Sequence, residues 1–468
     1  MRGRRLGAFL LLVALGLLAI AALRDFARLG DALPWNELYD FADFYCAGSA
    51  IDRGADPYRY EPLHRCEHAV NGSQAFLRDP ARAVPAPLPP YDFPPFMLAA
   101  RLSFTAARAI DALAIAAALL AAVWGLSLLA IPFDLGALAL ALPGGYVLLA
   151  AGQVVPLALL ALVFCGVALA RRRPVVAGVL AALTLIEPHL GLPVCAGLFV
   201  WQPRSRFAIA GAGVGLACIA AAVSSFAVIA EYVARVVPAQ AQAESGYVYQ
   251  YSLSYLLHTL GLPAAPALAI GDLSYVAMLV FGVWLGRRMA DSLERPELLA
   301  YIPAACSVVA GPYVHMVDLP FAIPAALVLA TSLPGRTRKI AVVALVLLAV
   351  PWIAVWITKK LFLAALFVVA VLLVRLRPGA TVSVSALLAV AATIYLFELS
   401  PPVAFTAITA KSFAAGALAQ EAWSEYVSRL GRGEPAWFLI KLPTWAALCG
   451  MLVACLAALR RLRTKMAT

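Results

Sequence analysis

The chain has 468 residues, is 63% hydrophobic and only 13% charged, and has a mean hydropathy of +0.89. A soluble domain is about half apolar and about a quarter charged, so this composition excludes one, and the dyad repeats of a membrane barrel are absent. The formal net charge is +11, but the basic residues fall in short clusters between apolar runs, which marks cytoplasmic turns rather than a nucleic-acid-binding face.

The first segment, "MRGRRLGAFLLLVALGLLAIAAL", has a basic start and an apolar core too long for a cleaved leader. It reads as a retained anchor over 1–23 with a cytoplasmic N-terminus. Basic clusters at Arg2, Arg4 and Arg5, at Arg171 to Arg173, at Arg204 and Arg206, at Arg287 and Arg288, at Arg336, Arg338 and Lys339, at Arg375 and Arg377, and at Arg460 to Lys465 then fix the orientation. The loop 24–104 becomes extracytoplasmic. Helices follow near 106–131, 134–150 and 154–170, then a short pair broken at "EPHLG" (187–191), then helices near 206–229, 266–286, 298–312, 318–333, 339–357, 361–376, 381–397 and 440–460. The total is roughly 12 to 14 spans in an all-α polytopic chain. Outer loops fall at 231–264, 311–318 and 398–439, and only "TKK" at 358–360 lands outside against the charge rule. The chain thus divides into the anchor 1–23, the loop 24–104, a core membrane module 105–334 and C-terminal helices 335–468, with the C-terminus cytoplasmic.

Polar residues that are costly near a membrane gather on the outer face under this topology. They are Asp40 and Asp43, "PPYDFPP" at 89–95, "AGQ" at 151–153, Glu187 and His189, Gln250 and His258, and His315 with Asp318. Carboxylates and histidines around one aqueous cavity suit an active site. "NELYDFADFYCAGSAIDRG" reads as a helix with Asn36 as N-cap and Gly54 as its stop. On it Asp40, Asp43 and Ala47 share one face, beside an apolar side of Phe41, Phe44, Tyr45 and Gly48. That suits a surface helix with its acids toward a cavity; a solvated loop helix is the alternative.

Six of the eight cysteines lie in apolar runs; Cys46 and Cys66 lie in the first hydrophilic loop, where a disulfide is open to them. No His/Cys set has zinc spacing, and a divalent cation held by Asp40 and Asp43 is not favoured.

"DFADFYCAGSAIDRGADPY" resembles the D-F-x-x-[YF]-Y-x-A…G-x-x-P-Y signature of glycosyltransferase family 87. "YDFPPFMLAA", "AGQVVPLALLAL", "SLSYLLHTLGLP" and "GPYVHMVDLPFAIPA" are similar to further family blocks, in the family's order. The resemblance covers roughly 30 to 330 and implies a GT-C-like fold with a helical first outer loop. It also implies a mannosyltransferase-like hexosyltransferase of the plasma (inner) membrane, serving the cell envelope. Such an enzyme moves a sugar, mannose favoured, from a polyprenyl-phosphate donor to a lipid or glycan acceptor, with inversion and without a cofactor. By motif position Asp40 is the general base and Asp43 a second acid that orients the acceptor or tunes Asp40. His315 is expected at the phosphate or acceptor, with Gln153, His189, Asp318, Tyr45 and Arg53 as further substrate contacts. Where the family often has Lys-Pro-Gln, this chain has Glu187-Pro188-His189, which leaves the donor phosphate without that cation. A transporter or lipid flippase is the alternative, and it requires ionisable residues strung through the membrane.

Overall fold

The computed structural model describes residues 2–70, 83–376, 413–414, 416–429 and 435–467. The helix expected near 381–397 and half of the 398–439 loop lie outside the described residues. Those described are helical with no strand, and two isolated bridges join Arg59 to Leu418 and Gln250 to His315. Among the described residues five helices are long and apolar enough to cross a bilayer: Ala8–Ala27, Phe104–Ser127, Pro203–Val223, Ala264–Leu293 and Trp437–Arg461. Six shorter apolar helices accompany them, among them Val155–Ala170, Pro174–Ile186, Pro188–Trp201 and Met316–Ser332. At 1.5 Å per residue, a 24-residue helix is about 36 Å long, which exceeds the hydrocarbon core. Large apolar side chains such as Leu17, Leu113, Leu120, Phe207 and Leu273 stay exposed on the long helices, as a lipid-facing surface requires. The chain is an all-α multi-pass membrane protein.

The centre of the bundle is the helix Leu298–Ser307, buried throughout, beside Ile323–Ser332. The break expected at "EPHLG" is present. Helix Pro174–Leu183 tightens into a 3₁₀ turn at Thr184–Ile186, Glu187 is extended, and Pro188 opens the next helix. The single helix expected near 339–357 is instead two, Gly335–Leu348 and Trp352–Ile357, because Pro351 lacks the amide hydrogen that would continue the first.

Two sets of contacts define the ends of the bundle. The Lys360 ammonium donates to the Arg28 carbonyl at 2.6 Å, so "TKK" lies where the first helix exits. At the other end Arg375 pairs with Asp134 at 2.6 Å, and Arg295 donates to the Leu129 carbonyl and the Ser332 hydroxyl.

The motif helix differs from the expected one in two respects. It runs from Phe41 to Asp52, and Asn36 is not its cap. Residues Pro34–Glu37 form a separate turn that Leu38, at φ 39°, terminates. Gly54, at φ +75°, does follow the helix end. It is also no surface helix, since every residue from Phe41 to Ala50 is buried. Phe41, Phe44 and Tyr45 pack on Phe96 and Phe104, and Cys46 is joined to Cys66 with a Cα separation of 5.6 Å. The disulfide staples the motif helix to the helix Tyr60–Val70.

Candidate active site

The N-terminal end of the motif helix is docked by backbone. The amides of Tyr39 and Asp40 donate to the carbonyls of Ala150 and Ala151 at 3.2 and 2.7 Å. That docking requires Gly152: its φ is +71°, and a Cβ there would stand 3.0 Å from the Cβ of Phe41 and 3.1 Å from that of Leu38. The turn it makes aims Gln153 at the motif, and the Gln153 amide donates to Asp40 Oδ2. Two blocks more than 100 residues apart in the chain therefore meet at one carboxylate.

A second group forms where the broken helix pair meets the 311–318 loop. His189 Nε2 lies 3.2 Å from Asp318 Oδ2, and its Nδ1 lies 3.7 Å from Glu187 Oε2. The same Asp318 oxygen accepts the His315 backbone N–H at 2.6 Å. Asp318, only 1% exposed, thus opens the 3₁₀ turn Met316–Ala322 and holds an imidazole at once.

The third part is a short antiparallel bridge. Tyr251 N–H donates to the Val314 carbonyl at 2.6 Å, Met316 N–H to the Tyr249 carbonyl at 3.0 Å, and Val314 N–H to Gln250 Oε1 at 3.0 Å. The Gln250 amide continues to Glu244 at 3.1 Å, and Glu244 also accepts from Trp423 at 2.5 Å. The bridge carries His315 among the rings of Tyr247, Tyr249 and Tyr313, with centroids 6.0, 5.9 and 6.4 Å away.

Electrostatics tie the three parts together. Burial pushes the Glu244 carboxyl up to about 7; the Gln250 and Trp423 donors oppose this, and the charges of Asp40 and Asp318 add to it. Burial holds the His315 imidazole down to about 4, against the pull of Asp318 and with the push of Lys441. The Tyr313 hydroxyl is raised first by burial and then by the charges of Glu244, Asp318, Glu187 and Asp40. Asp92, 8% exposed, is raised by burial and then by Glu187.

The structure thus brings together Asp40, Gln153, His189, His315 and Asp318. It sets three expected residues apart. Asp43 is 1% exposed and lies inside the motif helix rather than beside Asp40 on an open face. The Tyr45 hydroxyl donates to the Leu102 carbonyl at 2.9 Å, a packing bond. Arg53 is exposed at the opposite end of the motif helix from Asp40. His258, of the outer polar set, meets the Leu262 carbonyl at 2.9 Å, where its own helix ends. Glu244, Tyr249, Tyr313, Trp423 and Lys441 were not singled out from sequence, because each is an ordinary residue until the bridge forms. Among the described residues no group of three or more His, Cys, Asp or Glu is arranged to hold a metal ion.

A cluster of carboxylates, imidazoles and phenols in a bundle of bilayer-spanning helices defines a multi-pass membrane protein with a candidate catalytic site. The family model described as Glycosyltransferase family 87 matches residues 89–312, a segment that holds Asp92, Gln153, Glu187, His189, Glu244 and Gln250. The chain belongs to glycosyltransferase family 87 and is a membrane glycosyltransferase. Asp40 and His315 flank the matched segment on either side. Searches of curated proteins and of solved structures each returned no match.

Proposed function

We propose that the chain transfers a sugar, mannose favoured, from a polyprenyl-phosphate donor to a lipid or glycan acceptor at the extracytoplasmic face of the plasma (inner) membrane. Both termini are cytoplasmic in this reading, and no metal or other cofactor takes part. The observation that carries it is the pairing of Asp40 with Gln153 beside a cluster of His315, His189 and three tyrosines, of which Tyr249 and Tyr313 feel the Asp40 charge. Asp40 is half-buried, so it is reachable by an acceptor hydroxyl while its orientation is fixed by the amide.

In the proposed step Asp40 takes the acceptor proton as the acceptor oxygen attacks the anomeric carbon. The bond from that carbon to the phosphate oxygen breaks, the electron pair leaves with polyprenyl phosphate, and the configuration inverts. His315, held neutral by burial, donates a hydrogen bond to the leaving phosphate or the acceptor. Asp318 fixes His189 and the His315 backbone, and the phenols present flat faces to sugar rings. Asp43 supports the motif helix from within.

The test is transfer by the purified chain from defined donors. Radiolabelled polyprenyl-phosphate mannose should yield product and a nucleotide sugar should not, with the new linkage α when the donor is β. Transfer from the nucleotide sugar, or retention of configuration, contradicts the proposal.

A further inference from the structure

Lys441 is 0% exposed in the Pro435–Ala467 helix, more than 100 residues beyond the family match. A lysine inside an apolar span is costly unless its ammonium is paired or hydrogen-bonded. Here it is held on two sides. The ammonium donates to the Gln250 carbonyl at 2.6 Å and lies 3.3 Å from the Tyr255 ring centroid, with Tyr251 at 5.4 Å. One turn further, Trp445 Nε1 donates to the Tyr251 carbonyl at 3.1 Å. Positions i and i+4 of one helix therefore bind consecutive carbonyls of the extended segment that forms the bridge. The same segment bonds Val314 and Met316 on either side of His315.

We propose that Lys441 is a positioning residue of the active site: with Trp445 it clamps Tyr249–Tyr251 against the His315 loop, and its ammonium supplies positive potential beneath the leaving phosphate. This rests on the phosphate-donor reading above and deepens it. The carboxyl groups around the site are Asp40, Asp92, Glu187, Glu244 and Asp318, with His189 between Glu187 and Asp318. Lys441 offsets that charge from below without touching substrate. His315 faces Asp318 from its own turn, Lys441 from the C-terminal span, and the phenols of Tyr247, Tyr249 and Tyr313. Loss of the ammonium therefore lets His315 protonate at higher pH.

The experiment compares the full chain with K441Q, K441R, W445F and D40N in phosphatidylethanolamine and phosphatidylglycerol vesicles. The donor is polyprenyl-phosphate mannose, and membranes depleted of the protein supply the acceptor. K441Q keeps a donor for the Gln250 carbonyl but loses the charge. It should lower kcat about tenfold with donor KM within about twofold, and move the acid limb of the pH profile up by about half a unit or more. K441R should restore the limb, and W445F should lower kcat with the limb unmoved. A K441Q limb identical to wild type overturns the inference and makes Lys441 a buried structural group. A fully active D40N overturns instead the reading on which the inference rests.

Discussion

Replacing Gln153 by leucine removes the amide donor that meets Asp40 Oδ2 and keeps the side chain's size. The local backbone does not depend on that amide, since the Gln153 N–H already donates to the Leu148 carbonyl at 3.3 Å. The expected loss is therefore catalytic. A hydrogen bond to a charged partner contributes about 1.5–3 kcal/mol, and about 1.4 kcal/mol is a factor of ten in rate. Gln153→Leu should lower kcat by about 10- to 150-fold, with little change in donor KM, because the lost bond holds the base rather than the substrate. Gln153→Glu should be worse, since it sets a like charge where the donor stood. The assay is transfer from radiolabelled polyprenyl-phosphate mannose, with size-exclusion profiles to confirm folding. A Gln153→Leu protein with wild-type kcat would refute the argument that this amide orients the base.

Gly48→Ala places a Cβ 2.5 Å from the Phe96 carbonyl oxygen and 2.7 Å from the Met97 nitrogen. Backbone cannot step aside as a side chain can, so the variant should lose about 3 kcal/mol, and an unchanged melting midpoint in detergent would contradict this. Cys46→Ser opens a bridge of sequence separation 20, which should cost about 3 kcal/mol by loop entropy and make the midpoint insensitive to reductant. Glu244 has its folded pKa raised from 4.5 to about 7. Its contribution to stability is thus present below about 4.5 and lost as pH rises to about 7, about 3 kcal/mol in all. Glu244→Gln should flatten the fall in melting midpoint across that window, and a slope equal to wild type would count against it.

The spans and their breaks were legible in the sequence wherever apolar length or a proline decides them. The break at Glu187 and the helix stop near Gly54 follow from local chemistry and are found there. The start of the motif helix was not legible, because the turn at Leu38 is imposed by docking onto Ala150 and Ala151 rather than by a capping side chain. The open face expected to carry Asp40 and Asp43 is absent for a related reason. Helical spacing gives angular position but not which side the protein covers, and the motif helix is covered on all sides. Tyr45 resembled a substrate contact by position, yet its hydroxyl is taken by Leu102. The meeting of Asp40 with Gln153, and of His189 with Asp318, joins segments separated by 113 and 129 residues. Periodicity carries no information at that range, and only the motifs as a set pointed to it. Lys441 was invisible because a single lysine at the start of an apolar run reads as an interfacial anchor.

The central claim is that Asp40 removes the acceptor proton. The most direct measurement is transfer by Asp40→Asn in vesicles, alongside its melting midpoint and donor binding. The asparagine keeps the size and the Gln153 contact but cannot take the proton. The variant should fold, bind the polyprenyl-phosphate donor with near wild-type affinity and transfer at less than about one thousandth of the wild-type rate. A folded Asp40→Asn protein that transfers at the wild-type rate would contradict the claim.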